Sequence, residues 1–196
     1  MTREEMEQKL KSTLNPKRFT HSVNVMNTAV ELAIRYGIDA EKAAVAGLLH
    51  DCARDVRGEE IFELCRRFDI KVNYISKFQP ELLHGPIGRY LAKIEYQVDD
   101  PEILDAIHYH TTGCENMTII EKIIFIADYI EPNRSFPGVY EVRKEAYSDI
   151  NRALIFALNK TIKFVIMKGA LIHPDSVNAR NYLINEYGRF PMDSFR

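Results

Sequence analysis

Apolar residues recur at three- and four-residue spacing along nearly every long segment of this 196-residue chain, and no segment alternates as a half-buried strand does. That periodicity admits helices packed on helices and little else. The punctuation agrees. Thr2-x-x-Glu5 and Thr118-x-x-Glu121 have the spacing of capping boxes, in which a hydroxyl and a carboxylate satisfy the first free N–H groups of a helix. Asn15-Pro16 and Asp100-Pro101 each place a capping side chain ahead of a proline at the first helical position. Gly37 suits a left-handed stop, and Pro132 ends "TIIEKIIFIADYIEP". A helix at about 39–51 is apolar almost all round and is expected to be central, and "GEEIFELCRRF" is more amphipathic. Gly85 and Pro86 read as a cap and first position, leading a stripe of Ile87, Leu91 and Ile94. Segments 149–167 and 176–187 supply closing helices. The expectation is an all-α, multi-helix bundle formed as one domain over 1–196, with its core at about 16–132 and closing helices at about 139–188.

Composition narrows the function classes. Hydrophobic residues make up 46% of the chain, enough for a sizeable core. The net charge of −2 leaves no broad basic footprint for nucleic acid. No apolar run approaches the ~20 residues of a membrane span. The opening "MTREEMEQKL" is unlike a secretory signal. Cys52, Cys65 and Cys114 are odd in number and form no C-x-x-C pair, so they read as free thiols in a cytoplasmic protein. Cys52, beside Asp51, is read as a buried structural thiol.

Several polar side chains sit where a core should be. "AGLLHDCARD" ends an apolar run in adjacent His50 and Asp51. His21 shares a helical face with Val25, Thr28 and Leu32. Asp128 follows Ile120 and Ile124 at helical spacing, where an unpaired buried carboxylate is strongly unfavourable. His110 shares a face with Ile103 and Ile107, and His84 precedes the helix start expected at Gly85. Taken singly, each has an ordinary reading as a hydrogen-bonded core group or a cap. Taken together, a shared cation accounts for all six. Mixed imidazole and carboxylate donors suit first-row metals such as Mn, Fe or Zn. Six donors exceed one tetrahedral zinc and can hold two ions, with Asp51 as the candidate bridge. His108 faces away from His110 and groups with Leu104, so it is left outside the donor set. His173 reads as a surface loop residue.

The order His21, His50-Asp51, Asp128 resembles the signature of the HD metal-dependent phosphohydrolase superfamily. The stretches "LLHGPIG", "AIHYHTTG" and "FIADYIEPNR" resemble its YqeK-type branch, the HD-domain bis(5′-nucleosyl)-tetraphosphatases, over about residues 15–185. The resemblance implies an HD-domain bundle around a buried divalent-metal site. His21, His50, Asp51 and Asp128 would hold the first ion. His84 and His110 would serve a second ion or touch substrate phosphates. Iron is the expected metal, with Mn, Zn, Co or Mg as alternatives. The family pattern carries an arginine where this chain has His108.

The implied reaction is symmetrical cleavage of diadenosine tetraphosphate to two ADP by a metal-activated hydroxide, with Asp51, His50 and Arg54 as catalytic candidates. No nucleophile elbow or Walker-type loop competes with that reading. Arg54 and Arg134 are candidate phosphate contacts, joined by His84, His110 and Thr111. Asp55 is a candidate to orient Arg54 or a ligand histidine, Tyr109 and Thr112 to touch ribose or phosphate, and Tyr129 to stack on a base. The expected partner is a small nucleotide, with no nucleic acid or membrane, and the sequence admits a homodimer. The alternatives are another HD nucleotide phosphohydrolase or phosphodiesterase, and a non-catalytic nucleotide sensor.

Overall fold

The computed structural model describes residues 1–188. Its described residues form eleven α-helices and no strand. The helices are α1 (Arg3–Thr13), α2 (Pro16–Tyr36), α3 (Ala40–Leu49), α4 (Glu59–Arg67), α5 (Tyr74–Phe78), α6 (His84–Glu95), α7 (Pro101–Tyr109), α8 (Ile119–Ile130), α9 (Val139–Ala146), α10 (Ile150–Met167) and α11 (Pro174–Tyr187). A 3₁₀ turn, Pro80–Leu83, leads directly into α6.

Both expected capping boxes form, at Thr2/Glu5 and Thr118/Glu121. Asn15 and Asp100 cap α2 and α7 ahead of their prolines, and Gly37 ends α2 at φ 69°. Three readings need correction. α3 stops at Leu49 with His50 as its C-cap, so Asp51 lies in the following turn rather than in the helix. α6 starts at His84, which puts Gly85 and Pro86 inside its first turn. Ile94 is exposed although it lies two turns on from Ile87 on the same side, and the buried residues of α6 are His84, Gly85, Ile87, Gly88 and Ala92. His173 is the N-cap of α11, its Nδ1 accepting from the Asp175 N–H.

α8 runs through the middle, with Ile120, Ile123, Ile124, Ile126 and Ala127 all buried. Each such isoleucine contributes roughly 1.5–3 kcal/mol by leaving water. α2 and α7 pack on α8, α3 packs on α2, and α6 packs on α7. Two glycines set the close approaches. A Cβ on Gly47 of α3 would sit 2.9 Å from the Met26 Cα of α2. A Cβ on Gly85 of α6 would sit 2.5 Å from the His108 carbonyl oxygen of α7. Backbone cannot yield at those distances, so only glycine lets the two helix pairs meet. The first approach brings His21 and His50 together, and the second brings His84 and His110 together.

Candidate metal centre

Four imidazoles and two carboxylates from α2, α3, α6, α7, α8 and the turn after α3 meet at one end of the bundle. His50 Nε2 lies 3.2 Å from His21 Nε2, and His84 Nε2 lies 2.9 Å from His110 Nε2. Asp51 spans the two pairs. Its Oδ2 is 3.8 Å from His50 Nε2, while its Oδ1 is 3.1 Å from His84 Nε2 and 3.6 Å from His110 Nε2. Asp128 Oδ1 is 3.0 Å from His21 Nε2 and 4.0 Å from His50 Nε2. His50, Asp51, His84 and His110 are buried, and His21 and Asp128 border the opening. The six sequence candidates fall into overlapping groups of three whose ligand atoms lie within 4.8 Å of one another.

The far side of each ring decides what the near side can do. His50 Nδ1 is 2.7 Å from the Gly47 carbonyl, His110 Nδ1 2.7 Å from the Ile107 carbonyl, and His84 Nδ1 2.5 Å from the Glu81 carbonyl. A carbonyl only accepts, so Nδ1 donates in each case. A neutral ring then has nothing but a lone pair on Nε2. His21 Nδ1 donates likewise to Glu131 Oε1 at 3.3 Å. Four lone pairs and two carboxylates therefore converge, with few protons to share. The Thr111 hydroxyl, 3.1 Å from His84 Nε2 and 3.0 Å from His110 Nε2, brings one proton for two acceptors. Such a donor set fits divalent cations, whose charge replaces the missing protons, and each ring already carries the hydrogen bond behind it that metal-bound histidines make.

The titration behaviour points the same way. Burial, reinforced by His110 and His21, pushes His50 down to about 4, and burial lowers His84 as well. Burial also works against a charged His21, but the hydrogen bond and charge of Asp128 outweigh it and raise its pKa. Burial alone would keep Asp51 protonated. The field of His50 and contacts to His110 and His84 instead hold it well below the usual carboxylate range. Asp128 is held down in the same way by His21, His50 and Arg134. Ionised carboxylates beside His50 and His84, whose protonation burial disfavours, make a strongly cation-seeking pocket.

The surrounding cavity, about 530 Å³, is lined by both arginines singled out in the sequence. Arg54 Nη1 donates to the Glu81 carbonyl at 3.2 Å and lies 3.0 Å from His84 Nδ1. Arg134 Nη2 donates to Asp128 Oδ1 at 2.5 Å. Thr111 lines the same cavity. Asp55 does not reach Arg54 but pairs with Arg18 Nε at 2.8 Å and accepts from the Asn15 N–H at 3.1 Å. Tyr129 packs edge-on against Phe136, and the Thr112 hydroxyl turns to the Gly113 carbonyl, so neither faces the cavity. His108 lies outside the cluster, half-buried against Tyr109 and pushed down to about 4 by burial and Arg89. Cys52 is buried, its thiol donating to the Gly88 carbonyl at 3.5 Å.

Sequence reading passed over Glu131, Arg18, Lys17, Asn15 and Asn133. All five line the cavity, and Arg18 Nη1 is 3.9 Å from Asp51 Oδ2. Glu131 is buried and accepts from His21, from Asn24 Nδ2 at 3.1 Å and from the Asn133 N–H at 2.8 Å. The available signal was a carboxylate three residues after Asp128, followed by proline, inside the quoted "FIADYIEPNR".

The model of the HD domain matches residues 18–133, the span that carries all six converging donors. Symmetrical bis(5′-nucleosyl)-tetraphosphatases match nearly end to end. The Bacillus subtilis protein of that name is 45% identical over 94% of this chain and 99% of its own length. The Staphylococcus aureus one is 38% identical over 88% and 89%. The chain belongs to the HD-domain family, in its symmetrical bis(5′-nucleosyl)-tetraphosphatase branch. A crystal structure from Clostridium acetobutylicum, described as a predicted HD superfamily hydrolase involved in NAD metabolism, superposes with a TM-score of 0.92 at 47% identity, covering 95% of this chain and 98% of that one. For this HD-domain chain the all-α expectation holds, and no helix among the described residues is long and apolar enough to cross a membrane.

Proposed function

We propose that this chain hydrolyses diadenosine tetraphosphate symmetrically to two ADP, at divalent cations held by His21, His50, Asp51, Asp128, His84 and His110. The observation that carries the reading is the set of lone pairs turned inward by hydrogen bonds behind each ring. It stands inside a chain whose near-full-length relatives bear that enzyme's name.

A bound divalent cation supplies Lewis acidity toward phosphate oxygens and lowers the pKa of water. The chain's own groups do the rest. Asp51 offers one oxygen to each side of the centre, so it keeps the two halves in register. His50, wholly buried, keeps a neutral ring beside it. Arg54 and Arg134 stand on opposite sides, Arg54 next to His84 and Arg134 next to Asp128, where guanidinium forks suit a long polyphosphate. Arg18 and Lys17 add positive charge at the opening, and Thr111 offers a hydroxyl. Iron is the ion the family resemblance leads us to expect, and the mixed nitrogen and carboxylate donors are compatible with it. The free thiols fit a reducing compartment, and we place the enzyme in the cytoplasm.

The test is chromatography of products from diadenosine tetraphosphate, run beside metal analysis of freshly isolated protein. ADP as sole product supports the reading. AMP with ATP, or no turnover in any metal-loaded form, overturns it.

A further inference from the structure

We infer that the cleft beside Arg54 and His84, outside the metal centre, seats one nucleoside of the substrate, with its base against Val56, Ile61 and Pro80. The inference rests on the nucleotide reading above and adds where recognition of the nucleoside occurs.

The cleft is about 250 Å³ and opens from the metal cavity across a shared neck of Arg18, Arg54 and His84. Its size is below the ~300–1,000 Å³ of pockets that take whole ligands, so it has room for one end of a dinucleotide rather than both. The neck is cationic and held in place. Arg54 is fixed to the Glu81 carbonyl, and Arg18 to Asp55. Beyond the neck the lining is largely aliphatic, from Ala53 and Val56 to Ile61 and Ile87, with Arg57 and Glu81 as its polar members.

The apolar lining has its own support. Ala53, Ile61 and Ile87 belong with Cys65 and Leu83 to a small apolar cluster separate from the main core, assembled from the turn after α3, α4, the 3₁₀ turn and α6. That cluster backs a surface rather than the bundle interior. A guanidinium neck leading from a cation-seeking centre to an apolar wall matches the two ends of a nucleoside diphosphate. Phosphates go to arginine, and a flat base covers aliphatic side chains. Adenosine is amphipathic in the sense this surface requires, and inorganic polyphosphate is not.

Val56 is half-buried at the wall and donates only its backbone N–H, to the Ala53 carbonyl. Val56→Trp fills the cleft from a position that supplies none of the six metal donors. The measurement is calorimetric titration of metal-loaded protein with ADP and, separately, with inorganic pyrophosphate. Wild type should bind ADP at least about tenfold more tightly than pyrophosphate, and Val56→Trp should erase that margin while leaving pyrophosphate unchanged. A variant that keeps the margin, or a wild type that has none, overturns the assignment. A second measurement does not depend on the variant folding. In methyl spectra of zinc-loaded wild type, ADP should shift Ile61 and Ile87 and pyrophosphate should not. Unmoved methyls overturn the assignment equally. Product analysis of diadenosine tetraphosphate is scored separately. Its failure removes the hydrolase reading while the ADP margin still reports on the cleft, and a lost margin with intact ADP production removes the cleft alone.

Discussion

His21 projects from an interior turn of α2 and Asp128 from the last turn of α8, whereas His50, His84 and His110 stand at helix ends. The two placements orient a ring in different ways. At a helix end the last carbonyls have no partner within the helix. His50 and His110 each donate Nδ1–H to such a carbonyl three residues back, Gly47 and Ile107, and His84 does the same to Glu81 of the 3₁₀ turn. One hydrogen bond thus caps the helix and aims Nε2. His21 has no free local carbonyl, because those one turn back are spent on the helix. Its ring is aimed by Glu131, brought from α8. The helix-end histidines are oriented by their own segments, and His21 is oriented only by the assembled bundle.

Asp51 belongs to both halves, so its loss should be the largest effect. Asp51→Ala is expected to cut turnover by at least about a thousandfold, well past the ~10–100-fold cost of losing a group behind a ligand. The helical circular-dichroism signal should stay largely intact. Near-normal activity would dissolve the idea of a shared carboxylate.

Glu131→Gln should break the first half alone. The amide holds its shape but loses the charge that orients His21, so affinity for one Mn²⁺ equivalent should fall about 10–100-fold in a calorimetric titration, with a second equivalent little changed. Equal weakening of both, or of neither, would erase the distinction between the halves.

The smallest effect is a difference of sign with pH in metal-free protein. His50, pushed down to about 4 against about 6.5 unfolded, adds stability that is fully present above pH 6.5 and lost as pH falls through 4. His21, raised by Asp128 against burial, adds stability that is full below pH 6.5 and lost as pH rises through its folded value. Histidine proton titrations by NMR should therefore move in opposite directions from 6.5. Parallel shifts would count against the two environments described.

Much of this centre was legible because its parts break local rules. Imidazole and carboxylate groups on apolar helical faces stand out in any window of a dozen residues, and so did His21, His50, Asp51 and Asp128. Caps were equally visible, since Thr2, Asn15, Asp100 and Thr118 act on N–H groups two or three residues away. The misplaced boundaries at His50 and His84 have one cause. Both rings take a carbonyl three residues back, and a cap of that kind has no sequence spelling.

Periodicity and capping chemistry alone determined that this chain is helical, where most of its helices begin, and which polar groups stand among apolar neighbours, because those are interactions among near neighbours. Tertiary structure alone decided that Gly47 and Gly85 bring two histidine pairs into contact, that Glu131 rather than a backbone group aims His21, and that Asp55 serves Arg18 instead of Arg54. Those outcomes depend on which helices cross and how closely, and separations such as the 110 residues between His21 and Glu131 are bridged only by packing.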